Sequence, residues 1–182
     1  NAYDYCKHIV ETWPNRWTGS PGEKASGDWI ERQLAHMGYE TRQPRFPCPG
    51  WEYEGEELYL EGRRLDAGAQ FFSVGCDVTG PLAAITPDRK GGFTGEVQGR
   101  IAILKETDTG EVDDRNSILM NLQKAGALAA IMESEYPDTY STKMFRTPES
   151  TLPAAGVSGE VGRMLFASLG KEAHLVIRAR QT

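Results

Sequence analysis

Histidine is scarce in this chain of 182 residues: His8, His36 and His174 are the whole supply. No H-x-D, H-E-x-x-H or C-x-x-C spacing occurs, so the motifs that commonly hold zinc are missing. Cysteine is as thin. Cys6, Cys48 and Cys76 are odd in number and far apart, which does not describe a disulfide framework. Even if one pair bonded, a third thiol would stay free, and buried free thiols are expected. No apolar run reaches the roughly 20 residues that a membrane-crossing helix needs, and no signal peptide is visible. The chain opens on Asn1-Ala2 without methionine. This reads as a processed or trimmed terminus, so the missing signal says little about compartment. Positive charge is also in deficit, with 20 Lys and Arg against 26 Asp and Glu and a net charge of −6. That balance argues against nucleic acid or an anionic membrane as the main partner.

What remains is ample for a packed domain, at 39% hydrophobic residues. Tyr5, Ile9 and Trp13 recur every four residues and predict a helix over 3–13, closed by Pro14. Ser20 and Glu23 form an S-x-x-E capping box with Pro21 at the first helical position. Ala25, Trp29, Ile30, Leu34 and Met37 then share one face, and Gly38 supplies the stop. Tyr39 to Phe46 alternates loosely and reads as a strand. Pro44, Pro47, Pro49 and Gly50 form the densest proline cluster, and the domain boundary is placed there, dividing residues 1–49 from 50–182.

Beyond the boundary the pattern turns to short strands. Residues 57–60 and 63–67, joined by Glu61-Gly62, read as a hairpin. Further strands are expected over 71–74 and 80–85, with a turn at 90–93. Ile101-Ala102-Ile103-Leu104 and Leu128 to Met132 read as strands covered on both faces. Between them Asp113 to Asn116 predicts a helix entry, Ile118, Leu119, Leu122 and Ala125 its buried stripe, and Gly126 its end. Residues 134–151 read as a polar loop, 152–157 as a strand, Ser158 as the cap of a helix ending at Gly170, and 174–179 as the last strand.

None of the residues with chemical potential assembles a site in sequence. His36 near a helix end reads as a dipole partner, His8 shares no helix face with Cys6, and His174 begins a strand. Gly156-Val157-Ser158-Gly159 lacks the spacing of G-x-S-x-G, and nothing local activates the thiol of Cys76 beside Asp77. Gly91, Gly92 and Gly95 read as turns. The carboxylates Glu54, Glu56 and Glu57 read as solvated surface, and Asp113 and Asp114 as a helix start, in spacings that fit no calcium loop. Trp17, Trp29 and Trp51 read as packing residues. No catalytic, cofactor-binding or metal-ligating residue is assigned.

Two resemblances give these patterns a context. The run Arg16-Trp17-Thr18-Gly19-Ser20-Pro21-Gly22-Glu23, its helix, and Met37-Gly38-Tyr39-Glu40 resemble the start of the M28 family of zinc aminopeptidases and carboxypeptidases. Val97, Gly99, Arg100, Ile101 and Leu104, then Asn121, Ala125, Gly126, Ala127 and Ile131, then Leu152, Pro153, Val157 and Ser158 resemble the protease-associated (PA) domain. Arg100 stands where Lys is usual and Leu152 where Ile is usual. In many M28 enzymes a PA domain is inserted ahead of the zinc ligands, and the first of those ligands lie in an H-x-D motif. The resemblance therefore implies an α/β fold, with a PA-type β-sandwich or barrel flanked by short helices. It also implies a non-catalytic N-terminal portion of a zinc-dependent exopeptidase, serving substrate access or protein contact. Zinc is expected in the full-length parent and not in this chain. The expected partner is the remainder of the peptidase domain, with peptide substrate or a second copy of the chain as further candidates. An extracytoplasmic parent, secreted or membrane-anchored, is favoured. The alternative is a free-standing PA-like binding or oligomerisation module.

Overall fold

In the computed structural model, which describes residues 1–110, 112, 115–140 and 150–182, the chain divides into two compact units. The first comprises Asn1–Tyr53 with Gln181–Thr182, the second Glu54–Arg180.

The first unit is built on α1 (Ala2–Thr12) and α2 (Pro21–His36). Asn1 caps α1 by a reciprocal box with Asp4, a signal unused in the sequence reading. Ser20 caps α2 by accepting from the Glu23 amide at 3.1 Å, as predicted. The return arm differs: Glu23 Oε2 accepts from the amide of Gly19 at 2.5 Å, not of Ser20. The two helices meet through rings. Trp29 of α2 lies 5.7 Å from Tyr5 and 4.7 Å from His8, and 6.2 Å from Trp13. Yet α1 buries no residue, α2 buries only Ser26, and Ile30 and Met37 of the predicted apolar stripe stand exposed. No strand forms over 39–46. A strand needs a partner for its amides, and the backbone of residues 40–49 makes no hydrogen bond among the described residues.

The second unit carries the sheet. In chain order its strands are β1 (Trp51–Leu60, beginning in the first unit), β2 (Arg63–Leu65), β3 (Gly68–Ala69), β4 (Cys76–Ala84), β5 (Thr86–Pro87) and β6 (Phe93–Thr94). They are followed by β7 (Ile101–Lys105), α3 (Asn116–Lys124), β8 (Ala129–Glu133), β9 (Ala154–Val157), α4 (Gly159–Phe166) and β10 (Glu172–Gln181). The eight-stranded sheet runs β2-β1-β10-β4-β7-β8-β9-β3 and curls into half a barrel. β5 and β6 form a small separate hairpin around Asp88, whose Oδ1 accepts from the amides of Lys90 and Gly92.

The middle of the sheet is parallel and the flanks antiparallel. β4 pairs antiparallel with β10 through residues 76–81, then parallel with β7 through 82–84. β10 and β7 flank β4 on opposite edges, and Pro81, which has no amide to offer a ladder, stands just before the β7 pairing begins. β7 and β8 are buried on both faces from Ile101 to Leu104 and Ala129 to Met132, as their unbroken apolar runs predicted. Ala102, Leu104, Ala130 and Met132 meet Ile118, Leu119 and Leu122 of α3 on one side. On the other, α4 approaches so closely that a β-carbon on Gly162 would lie 2.3 Å from Glu133 Cγ.

Several sequence expectations are corrected. Residues 71–74 are not a strand: Phe72 has φ 61°, a turn conformation incompatible with a ladder. The helix capped by Ser158 ends at Phe166, one turn before Gly170. The free thiols are not uniformly buried, since Cys6 is exposed and Cys48 and Cys76 are only half-buried. The hairpin turn at Glu61-Gly62 holds as predicted, with φ 50° and 80°. The predicted helix entry at Asp113 and Asp114 lies outside the described residues.

Candidate functional site

Three places in the molecule gather polar side chains, and each follows from the local fold. In the first unit, Ser20, Glu23, Lys24, Gly27, Asp28 and Glu31 recur along one stripe of α2. The facing wall is the segment from Gln43 to Cys48, and the crevice between them has a volume of about 540 Å³. Thr41 Oγ1 donates to Glu31 Oε1 at 3.0 Å and Gln43 Nε2 to Glu31 Oε2 at 2.8 Å. Lys24 Nζ reaches Asp28 at 2.7 Å and holds its carboxyl below the usual carboxylate range. The acidic stripe is thus largely answered by its own neighbours.

In the second unit, β2 and β3 are the two edges of the sheet yet are separated only by Asp66 and Ala67. Beside this seam lies a cavity of about 300 Å³ lined by Glu56 and Leu58 of β1, Arg64 and Leu65 of β2, and the linking Asp66 and Ala67. Glu56 accepts a backbone hydrogen bond from Ala69 on β3, so a side chain of β1 spans the seam. Its Oε2 is shielded from solvent and has no partner among the described residues. Burial pushes this carboxyl above its usual value, and nearby Asp66 adds to the rise. Sequence reasoning placed Glu56 on the solvated surface. Its alternation with Leu58 and Leu60 was the signal that it belongs to the core face.

On the outer face of β1, β10 and β4, His174 Nε2 lies 2.8 Å from Asp77 Oδ1, and the His174 ring stacks on Tyr59 at 5.8 Å. Tyr59 donates to Glu57 at 2.7 Å, and Arg178 also bonds Glu57, which holds that carboxyl low. A His–Asp pair suggests base chemistry, but among the described residues no nucleophile joins it. Cys76 precedes Asp77 on the strand and so points to the opposite face. Its thiol contacts the Leu175 carbonyl and is pushed up to about 11 by burial, far from the thiolate a nucleophile requires.

The remaining sequence candidates disperse. His8 packs edge-on against Trp13, and His36 lies in the last turn of α2. Ser158 accepts from the Val161 amide at 3.3 Å as a helix cap, and Trp17 packs on Trp51, which stacks on Tyr53. Among the described residues no three His, Cys, Asp or Glu side chains converge where a metal could sit. The described residues therefore do not fit zinc.

The fold now defines a class. Residues 78–165 match the PA domain family, a stretch just under half of the chain. The second unit accordingly carries a PA domain, and the resemblance read from its three motifs holds. The particular setting comes from solved structures. The zinc aminopeptidase BSAP from Bacillus subtilis superimposes with a TM-score of 0.72 at 24% identity, over 98% of this chain and 43% of that one. A peptidase M28 precursor from Shewanella amazonensis SB2B does so with a TM-score of 0.77 at 17% identity, over 99% and 47%. Both units therefore share the fold of one segment of M28 peptidases. A curated relative, the probable lipoprotein aminopeptidase LpqL of Mycobacterium tuberculosis (strain ATCC 25618 / H37Rv), is 30% identical over 91 residues, which is 48% of this chain and 18% of that protein. The chain spans less than half the length of each of these proteins.

Proposed function

We propose that this chain is the non-catalytic N-terminal portion of a zinc-dependent exopeptidase, with its PA domain serving substrate access or protein contact. One observation carries the reading: the first unit has helices but almost no interior. α1 buries nothing, α2 buries only Ser26, and Tyr3, Val10, Ile30, Met37, Tyr39 and Phe46 are all exposed. Apolar faces of this kind require a covering surface, and the remainder of the peptidase domain is the partner that supplies it. In this reading zinc and its ligands belong to that remainder, with the catalytic residues. The lipoprotein relative supports an extracytoplasmic setting. No helix among the described residues is long and apolar enough to cross a membrane.

The test is to read the gene past Thr182 and assay both forms. An H-x-D motif with further spaced carboxylates and histidines is expected, and the full-length protein should hydrolyse aminoacyl p-nitroanilides in a zinc-dependent way while residues 1–182 do not. A reading frame that stops at Thr182 would replace this reading with a free-standing PA-like module.

A further inference from the structure

Helix α1 rests on α2 through a few rings. It buries no residue, and its aromatic side chains converge on Trp29 of α2. Tyr5 meets that indole edge-on at 5.7 Å. His8, one turn further along the same face, lies 4.7 Å from it at a tilt of 36°. Trp13, which follows α1, stands nearly perpendicular to the His8 ring at 5.5 Å, and 6.2 Å from Trp29. The imidazole thus has an indole on two sides.

This placement matters because the ring at position 8 can carry a charge. An indole face is electron-rich and attracts a cation within about 6 Å of its centre. Imidazole is the side chain that gains and loses a proton between about pH 5 and 8, and His8 is exposed, so solvent delivers that proton. Thr12 Oγ1, 3.5 Å from Nδ1, suits either state, since a hydroxyl donates to a bare ring nitrogen and accepts from a protonated one. The neighbouring charges are engaged elsewhere. On α1, Asp4 bonds the terminal ammonium at 2.8 Å and Glu11 lies 3.9 Å from Lys7. Arg16, after the helix, donates to the carbonyls of Ile9 and Trp13. On α2, Arg32 stands one turn beyond Trp29 and is exposed, so water and salt screen its repulsion. The two indoles are then the groups that favour the charged ring.

We propose that α1 is a proton-sensitive clasp: imidazolium at His8 fastens the helix to Trp29 and Trp13, and neutral imidazole lets it loosen. With no buried side chain on α1, these ring contacts carry much of its docking, and a modest change in them moves the helix between held and frayed states. The clasp lies within the first unit and does not depend on the peptidase reading. Its consequence is directional. The N-terminal helix is held in acid and opens as the pH rises.

Amide deuterium exchange of α1 in residues 1–182 tests this, each rate being divided by its intrinsic value at the same pH. Protection from Lys7 to Thr12 should be about threefold greater near pH 5.5 than near pH 7.5. His8→Phe keeps a ring against Trp29 without a charge, and should give equal protection at both values. The indole N–H resonance of Trp29 supplies a second readout where amides exchange too fast to follow. It should shift in one proton step between about pH 5 and 8 in the wild-type chain and stay in place in His8→Phe. Equal protection at the two pH values in the wild-type chain overturns the proposal, as does greater protection at the higher one. A Trp29 resonance that does not move in the wild-type chain also overturns it. So does a pH difference that survives in His8→Phe, because other groups then cause it.

Discussion

Within the second unit, Leu58, Ile101, Leu104, Ile118, Ile131 and Leu175 are wholly buried, whereas α1 buries nothing at all and α2 a single serine. Each unit has side-chain-capped helices, α1 and α2 in the first and α4 in the second. The difference lies in what the helices rest on. α3 places three apolar side chains onto a sheet. α1 and α2 meet through an aromatic cluster and bury one serine between them and their surroundings. Caps and propensity decide where a helix starts, but tertiary burial supplies most of its stability. The comparison teaches that an amphipathic pattern in a sequence announces a contact without saying which polypeptide provides it.

The strongest challenge to this contrast is deletion of apolar mass on each side. Leu104→Ala should lower the unfolding free energy of residues 1–182 by about 3 kcal/mol in a urea titration. Ile30→Ala, 41% exposed, should change it by less than about 0.5 kcal/mol. Equal losses would mean that the first unit has a core after all. Gly162→Ala comes next: crowding against Glu133 costs about 2 kcal/mol and alanine's helix propensity returns about 1 kcal/mol. A net loss near 1 kcal/mol is expected by the same titration, and a gain would show that α4 packs more loosely than its glycine implies.

The caps sharpen the contrast further. Ser158→Ala should cost about 1 kcal/mol and shift the global transition. Ser20→Ala removes an equivalent bond, yet should appear only as faster deuterium exchange in the first turn of α2, with the urea midpoint unmoved. The smallest effect is expected at the seam. Glu56 is raised above its ordinary value of 4.5 by burial, so the folded state binds more protons than the unfolded state just above that pH. Stability then falls as pH rises through that window. Glu56→Gln should stabilise the protein at pH 7 by less than about 1 kcal/mol, given partial solvation. The advantage should vanish below about pH 4.5. A thermal melt series across pH reads both ends, and a gain persisting in acid would show that the carboxylate is not the cause.

Much of the fold could be read from residue order, and the reasons are local. Ser20 and Ser158 announce caps, and the apolar runs of β7 and β8 announce doubly covered strands. Glu61-Gly62 announces a turn that only two adjacent residues need to satisfy. What escaped depended on distant partners. Residues 39–46 alternate like a strand, but alternation provides no neighbour for their amides. Phe71-Phe72-Ser73-Val74 has strand composition, yet Ser73 Oγ is spent accepting the Ala154 amide at 2.9 Å, a contact no spacing predicts. Glu56 looked solvated beside Glu54 and Glu57 because composition outweighed its register with Leu58. The absence of any assigned catalytic residue followed from missing motifs.

The position of β10 bears on how the chain comes into being. It lies between β1 and β4 in the sheet, so among the described strands the hairpin β1–β2 is joined to the rest of the sheet through β10, which is synthesised after all of them. The interval from Leu65 to Glu172 takes roughly 5–20 s at ribosomal speed. Throughout it the hairpin has no neighbour on its β1 side, and its other edge is the short strand β2. Arg63 and Arg64 are exposed on that strand, and charge on a short edge discourages pairing with other chains. Those two arginines thus serve the nascent polypeptide before they serve the folded one.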